Sequence, residues 1–212
     1  MNRIQNNPVI NSIFPTPVYI VKRDSLDSTE EKEIEDIIEE GMHRNRHNST
    51  SNNSYIFNND NLKNLKQFCE QQLKIYVEKS ITPTEVDIYI TQSWINVTRP
   101  GENHHSHYHP NSIISGVFYI STEEDDNIMF MDPNDKLKNQ IVIDTTLEEW
   151  NIWNSPNWCF PVSKNELILF PSWLQHTVEP NDKATTDRIS ISFNTFVRGK
   201  LGEKNHLNEL II

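Results

Sequence analysis

Near residue 85 the apolar side chains change period, and that change restricts the chain to few architectures. Before it, two stretches carry helical spacing. Ser28–Arg44 repeats Ile34, Ile37, Ile38 and Met42, with Ser28 and Glu31 placed as a capping box. Asp60–Lys79 aligns Leu62, Leu65, Phe68, Cys69, Leu73, Tyr76 and Val77 on one face, with Asn59 or Asp60 available as the cap. After it come short β-rich runs: Val86–Thr98, Ile113–Ile120, Asn127–Met131, Gln140–Ile143, Trp158–Val162, Glu166–Pro171, His176–Glu179 and Arg188–Arg198. Pro100-Gly101, Asp132-Pro133-Asn134 and Pro180-Asn181-Asp182 supply turns between them. Ile13–Val21 contains two prolines and reads as an edge strand, because proline withholds a ladder donor. Helices followed by a series of strands predict a mainly β protein, a double-sheet jelly roll with flanking helices, and not alternating βαβ units. No linker-like composition shift interrupts it. A single domain is expected over 1–212, its helical part at about 13–80 packing on a jelly-roll core at about 85–198.

Hydrophobic residues make up 35% of the chain and mean hydropathy is −0.64; the polar excess sits in stretches such as His47–Asn53, which read as surface loops. The net charge of −11 argues against general nucleic-acid binding, which relies on Lys and Arg to displace counterions. The acidic runs Asp24–Glu40, Glu123–Asp126 and Glu148–Glu149 read as a solvated face and two loops. Cys69 and Cys159 have no metal-ligand spacing and are expected to be reduced core thiols. Met1–Asn11 lacks the apolar stretch of a secretory leader, and no apolar run is long enough to span a bilayer, so a cytoplasmic location is expected.

Residues 103–109 hold four of the eight histidines. In extended chain, side chains two apart point the same way, so His105, His107 and His109 share one side and His104 takes the other. Two neutral imidazoles on one segment offer adjacent coordination positions; a third ligand must come from elsewhere. His176 is the candidate, at the start of a strand after Leu169-Phe170-Pro171-Ser172. Imidazole suits iron, zinc, copper and nickel alike, so ligand type alone does not choose the metal. A solvated histidine loop is the competing reading.

Twelve residues after His176, Arg188-Ile189-Ser190 opens the last strand. Arg188 and Ser190 share a face while Ile189 and Ile191 take the other. A planar guanidinium with a neighbouring hydroxyl can grip the distal carboxylate of a small diacid; a rim ion pair with Asp187 or Glu179 is the alternative. Asn96, on the strand entering the histidine loop, can donate its amide to a carboxylate or keto oxygen near the metal, or can be purely structural.

Together these residues resemble the 2-oxoglutarate/Fe(II) dioxygenase superfamily, whose pattern is HxD or HxE, a distant histidine, and an arginine shortly after it, often in Arg-x-Ser. His107-Tyr108-His109, His176 and Arg188-Ile189-Ser190 occupy those places. The approach through Asn96 and Pro100-Gly101 is similar to that of DNA-repair dealkylases of this superfamily. The likeness is greater still to a group of such oxygenases from marine bacteria and phages, on Phe14–Val18, Ser93-Trp94-Ile95-Asn96, His107–Ser112, Ser115–Tyr119, Leu169–His176 and Arg188–Asn194.

The resemblance implies a double-stranded β-helix holding Fe(II) on His107, His109 and His176, with 2-oxoglutarate on Arg188, Ser190 and Asn96. It implies an enzyme that couples 2-oxoglutarate decarboxylation to hydroxylation of a substrate, a small molecule or a protein, that the chain does not name. His109 departs from the pattern by standing where a carboxylate is usual. Trp94, Tyr108, Tyr119 and Trp173 are candidate pocket residues or core, and Thr122–Trp158 is a candidate lid. The alternatives are a three-histidine cupin enzyme without 2-oxoglutarate, which needs no diacid anchor, and a non-catalytic jelly-roll binding module.

Overall fold

A computed structural model describes residues 9–81, 86–134 and 150–212. In chain order the elements are β1 (Tyr19–Lys22), α1 (Ser28–Glu40), β2 (Met42–Arg44), β3 (Ser49–Ser51), α2 (Lys63–Ser80), β4 (Val86–Thr98), β5 (His104–His107), β6 (Ile114–Ser121), β7 (Asn127–Met131), β8 (Asn157–Pro161), β9 (Glu166–Pro171), β10 (His176–Val178), β11 (Arg188–Leu201) and β12 (Leu210–Ile211). Two antiparallel sheets face each other. The major one runs β1-β9-β6-β11-β4-β3-β2, with β12 beside β11; the minor one runs β5-β10-β7-β8. This is a double-stranded β-helix with two helices on the outside, the class expected from the change of period.

Alternation along three central strands explains how one sheet serves two cores. Leu167 and Leu169 of β9, Phe118 of β6, and Ile191 and Phe193 of β11 face outward and pack with Ile34, Ile37, Leu65, Cys69, Leu73 and Tyr76 of the helices. Ile168 and Phe170 of β9 and Tyr119 of β6 face inward and join Ile128, Phe130 and Leu174 between the sheets. Arg188, Ser190 and Ser192 lie on that inward face of β11, where the helix side would have no use for them. Gly116 of β6 is required by this packing: it pairs with Phe193, and an added Cβ would fall 2.2 Å from the ring.

Several expectations shift. The first helix is capped by Asp27, not Ser28; its carboxylate accepts from Glu30 N while the Glu30 carboxylate accepts from Asp27 N. The second helix starts three residues later than expected, after a single 3₁₀ turn at Asp60–Leu62. The polar stretch 42–51 contains the short hairpin β2–β3, whose few polar residues carry little β signal. The edge strand is confined to β1, beyond both prolines, and pairs with β9. Cys69 is buried as expected, whereas Cys159 is exposed, because β8 is the outer strand of the minor sheet. The expected strand Gln140–Ile143, the acidic pair Glu148–Glu149 and part of the candidate lid lie outside the described residues.

Candidate active site

Between the sheets lies a cleft open to solvent on one side. One end is built by the minor sheet and its approaches. His107 ends β5, His176 begins β10, and the two are register partners. His109 follows two residues beyond β5, its backbone N–H held by Ser172 O at 2.9 Å. The potential ligand nitrogens of the three rings all lie within 4.8 Å of one another.

Two of the rings are oriented by the chain immediately before them. The Nδ1 of His107 bonds to the carbonyl of His105 at 2.8 Å, and that of His176 to the carbonyl of Leu174 at 3.0 Å. A carbonyl only accepts, so Nδ1 carries the proton in both and Nε2 keeps its lone pair. Burial, reinforced by the neighbouring imidazoles, holds the His176 pKa well below its ordinary value. Burial likewise lowers His107, and lowers His109 to about 4. The Nε2 atoms of His109 and His176 stand 3.4 Å apart. Either a neutral His109 carrying its proton on Nε2 donates across this gap, or a cation bridges it. The third nitrogen, from His107, converges on the same place, and three imidazole nitrogens so gathered fit a divalent metal.

A serine network supports these rings. Ser172 Oγ bonds to Ser112 Oγ at 2.7 Å and to Ser115 Oγ at 2.8 Å, and Ser115 Oγ donates to Asn194 Oδ1 at 3.0 Å. Ser172 N also donates to Ile113 O. The loop after His109 is thereby joined to the turn before His176 and to β11. Spacing alone did not single out these four side chains, although all lie in the segments that carried the resemblance.

The fourth histidine of the loop was misplaced by simple alternation. β5 and β10 change register between His176 and Val178, and this irregularity brings His104 into the cleft with His107 and His109. The His104 ring stacks on His107 at 4.4 Å, and burial lowers its pKa to about 3. His105, expected to share a side with His107 and His109, is not among the cleft residues.

The other end of the cleft is the inward face of the major sheet. Arg188, Ser190 and Ser192 on β11 pair with Thr98, Asn96 and Trp94 on β4, and Ser190 also pairs with Tyr119 on β6. All of these line the cleft. Arg188 is 8% exposed; its nearest carboxylate among the described residues is Asp126, 3.9 Å from Nη1, and Nη1 donates a long 3.4 Å hydrogen bond to Asn127 O. Burial pulls its pKa down, while Tyr119 and Asp126 oppose that. The expected alternative partners, Asp187 and Glu179, do not pair with it. Burial raises the pKa of Tyr119, so its hydroxyl remains a neutral donor beside Arg188.

Asn96 is 5% exposed and differs from expectation in detail. Its Nδ2 donates to Ser192 Oγ at 2.9 Å, and the buried Oδ1 has no partner. The amide therefore presents an acceptor to the cleft. A half-turn of the amide would let the Ser192 hydroxyl donate instead and free the NH₂ group. Trp94 and Tyr119 line the cleft, but Tyr108 and Trp173 are 61% and 55% exposed, neither pocket nor core.

A jelly roll with a three-imidazole cluster at one end of a cleft and a buried guanidinium at the other defines a metalloenzyme that works with a small anionic co-substrate. Residues 92–194, the stretch that carries the whole site, match the family described as "Putative 2OG-Fe(II) oxygenase", and that stretch belongs to the 2-oxoglutarate/Fe(II) oxygenases, enzymes that use both cofactors and act as dioxygenases or hydroxylases. Solved structures share the fold. A prolyl-4-hydroxylase from Pseudomonas putida is 11% identical, over 84% of this chain and 92% of that one, with a TM-score of 0.54. The α-ketoglutarate-dependent carbocyclase SnoK of nogalamycin biosynthesis is 12% identical over 91% and 85%, with a TM-score of 0.59. A viral collagen prolyl hydroxylase from Paramecium Bursaria Chlorella virus-1 is 10% identical over 84% and 94%, with a TM-score of 0.54. Comparison with curated protein sequences gives no match.

Proposed function

We propose that His107, His109 and His176 hold iron(II), that Arg188 and Ser190 receive the distal carboxylate of 2-oxoglutarate, and that Asn96 adjoins the co-substrate between them. One observation carries this reading: a single cleft contains both the converging imidazoles and a buried guanidinium whose only near carboxylate among the described residues lies beyond hydrogen-bond distance. When bound, iron and 2-oxoglutarate would let molecular oxygen act as the oxidant, one oxygen atom entering the succinate formed with carbon dioxide from 2-oxoglutarate and the other entering the hydroxylated substrate. The chain's part is positional. Backbone carbonyls fix the tautomers of His107 and His176. Ser190 and Tyr119 flank Arg188 as further donors, and Val117, Ile128 and Val178 limit water in the cleft.

The substrate is a small molecule or a protein segment presented at the open side of the cleft. Nucleic acid is disfavoured by the net charge of −11. We further propose one oxygenase domain over 1–212, working in a reducing cytoplasm, that of the host if the chain is phage-encoded; the free, exposed Cys159 thiol fits such a compartment. Recovery of a tagged chain from an oxidising compartment would contradict that location. Among the described residues no helix is long and apolar enough to cross a membrane.

Anaerobic titration with iron(II) and then 2-oxoglutarate tests the site. The expected result is the visible charge-transfer band of the chelate in the wild type and its loss in His176→Ala. A wild type that binds neither component, or a His176→Ala variant with an unchanged band, rejects the assignment.

A further inference from the structure

Arg188 also lines a second, smaller and shallow cleft, together with Asp126, Glu179, Asn181 and Thr186. Arg188 is thus the wall between two spaces, one containing the imidazoles and the other acidic. Asp126 is the buried carboxylate of that back cleft, its side chain 4% exposed. It is held away from Arg188. Its Oδ2 accepts from Glu123 N at 2.9 Å and its Oδ1 from Asn181 Nδ2 at 3.1 Å. Asn181 Nδ2 is in turn bonded to Glu124 O at 2.9 Å. The Glu123 carboxylate grips the backbone and hydroxyl groups of Thr185 and Thr186, just before Arg188. The loop bearing Asp126 and the segment leading into Arg188 are therefore tied together, with the two charges 3.9 Å apart.

We propose that Asp126 is an internal competitor for Arg188, a fixed carboxylate that weakens, and so sets, the affinity for the co-substrate's distal carboxylate. This rests on Arg188 being the anchor. In the empty protein Asp126 offsets a buried cation that would otherwise stand alone. When a diacid docks on the front of the guanidinium, two carboxylates share one cation and repel each other across it. Removing the charge of Asp126 leaves Arg188 uncompensated and raises its attraction for an incoming anion. A purely structural Asp126, one that only caps its turn and holds Asn181, predicts the reverse: a looser loop and weaker binding.

The test uses manganese(II)-loaded protein and calorimetry with two ligands, 2-oxoglutarate and 2-oxobutyrate. They share a chelating end, but only the first has a distal carboxylate. Asp126→Asn and Asp126→Ala should each tighten 2-oxoglutarate by roughly fivefold and leave 2-oxobutyrate unchanged. They should also lower the melting temperature of the ligand-free protein, and 2-oxoglutarate should restore more of it than in the wild type. Unchanged or weaker 2-oxoglutarate binding, or an equal shift for both ligands, overturns the proposal. Should neither variant fold, the wild type decides. An opposed anchor gives 2-oxoglutarate less than about a thirtyfold advantage over 2-oxobutyrate, whereas an unopposed bidentate pair gives about a hundredfold or more; a ratio above thirtyfold overturns the proposal. A failure of the anchor reading itself looks different: the two ligands bind the wild type equally and Arg188→Ala changes neither.

Discussion

At the metal end of the cleft, neutral rings are oriented by their own neighbours: His107 by the carbonyl of His105, and His176 by that of Leu174, each two residues away. At the anchor end, a buried cation depends on groups far along the chain, with Asp126 and Asn127 about sixty residues from Arg188. The difference follows from charge. A neutral imidazole is buried with its Nδ1 proton satisfied by the nearest carbonyl, so a tripeptide suffices. A guanidinium removed from water needs an opposite charge, and opposite charges at suitable depth come from other strands. The metal end also lacks the carboxylate usual among relatives of the resemblance, whereas the anchor end has one more carboxylate than a bare anchor requires.

Perturbing each end separately tests this contrast. The largest effect is expected for His176→Ala, which should abolish metal-dependent succinate formation while the melting temperature of the metal-free protein shifts by only a few degrees; retained turnover would break the metal assignment. Arg188→Ala should raise the KM for 2-oxoglutarate by tenfold or more, on the order expected for losing a charged bidentate contact, with metal affinity by calorimetry unchanged. A joint loss of both would mean that the two ends are not separable. His109→Asp brings the metal end to the usual charge and should raise iron(II) affinity by on the order of tenfold; weaker metal binding would show that the three-imidazole shell is required by its surroundings.

The smallest effect concerns pH. His104 and His109 have folded pKa values of about 3 and about 4, both lowered by burial. Below about pH 6.5 the unfolded chain takes up protons that the folded one refuses, so stability should be complete above 6.5 and fall as pH drops toward 4. Below that, Glu123, lowered to about 2 by its bonds to Thr186 and Thr185, adds a further loss as pH falls from about 4.5 toward 2. Melting temperatures of the metal-free protein between pH 7.5 and 4.5 give the slope, using roughly the reference pKa range of histidine. His109→Phe should flatten it, and an unchanged slope would show that this ring does not titrate as described.

Much of this was legible in the linear chain because it depends on period. The change near residue 85 separated helices from strands, and two-residue alternation on β11 placed Arg188 and Ser190 opposite Ile189 and Ile191. The same rule failed at His104 and His105, because the register irregularity between β5 and β10 is imposed by the partner strand. Aromatic character likewise misled at Tyr108 and Trp173: it suggested the interior, but both are more than half exposed, Tyr108 just beyond β5 and Trp173 in the turn before β10.

By itself, then, the sequence determined the class of fold, the common side of His107 and His109, and the placement of Arg188 with Ser190 opposite Ile189 and Ile191, all consequences of local spacing; it offered His176 as the third ligand, and the fold brought that ring to the other two. Only the tertiary structure decided that His104 shares the cleft, that Ser112, Ser115, Ser172 and Asn194 brace the metal end, and that Asp126 stands behind the anchor. Those arrangements depend on which strands become neighbours and in what register, and hydrogen bonds and ion pairs between residues sixty or more apart leave no periodic trace along the chain.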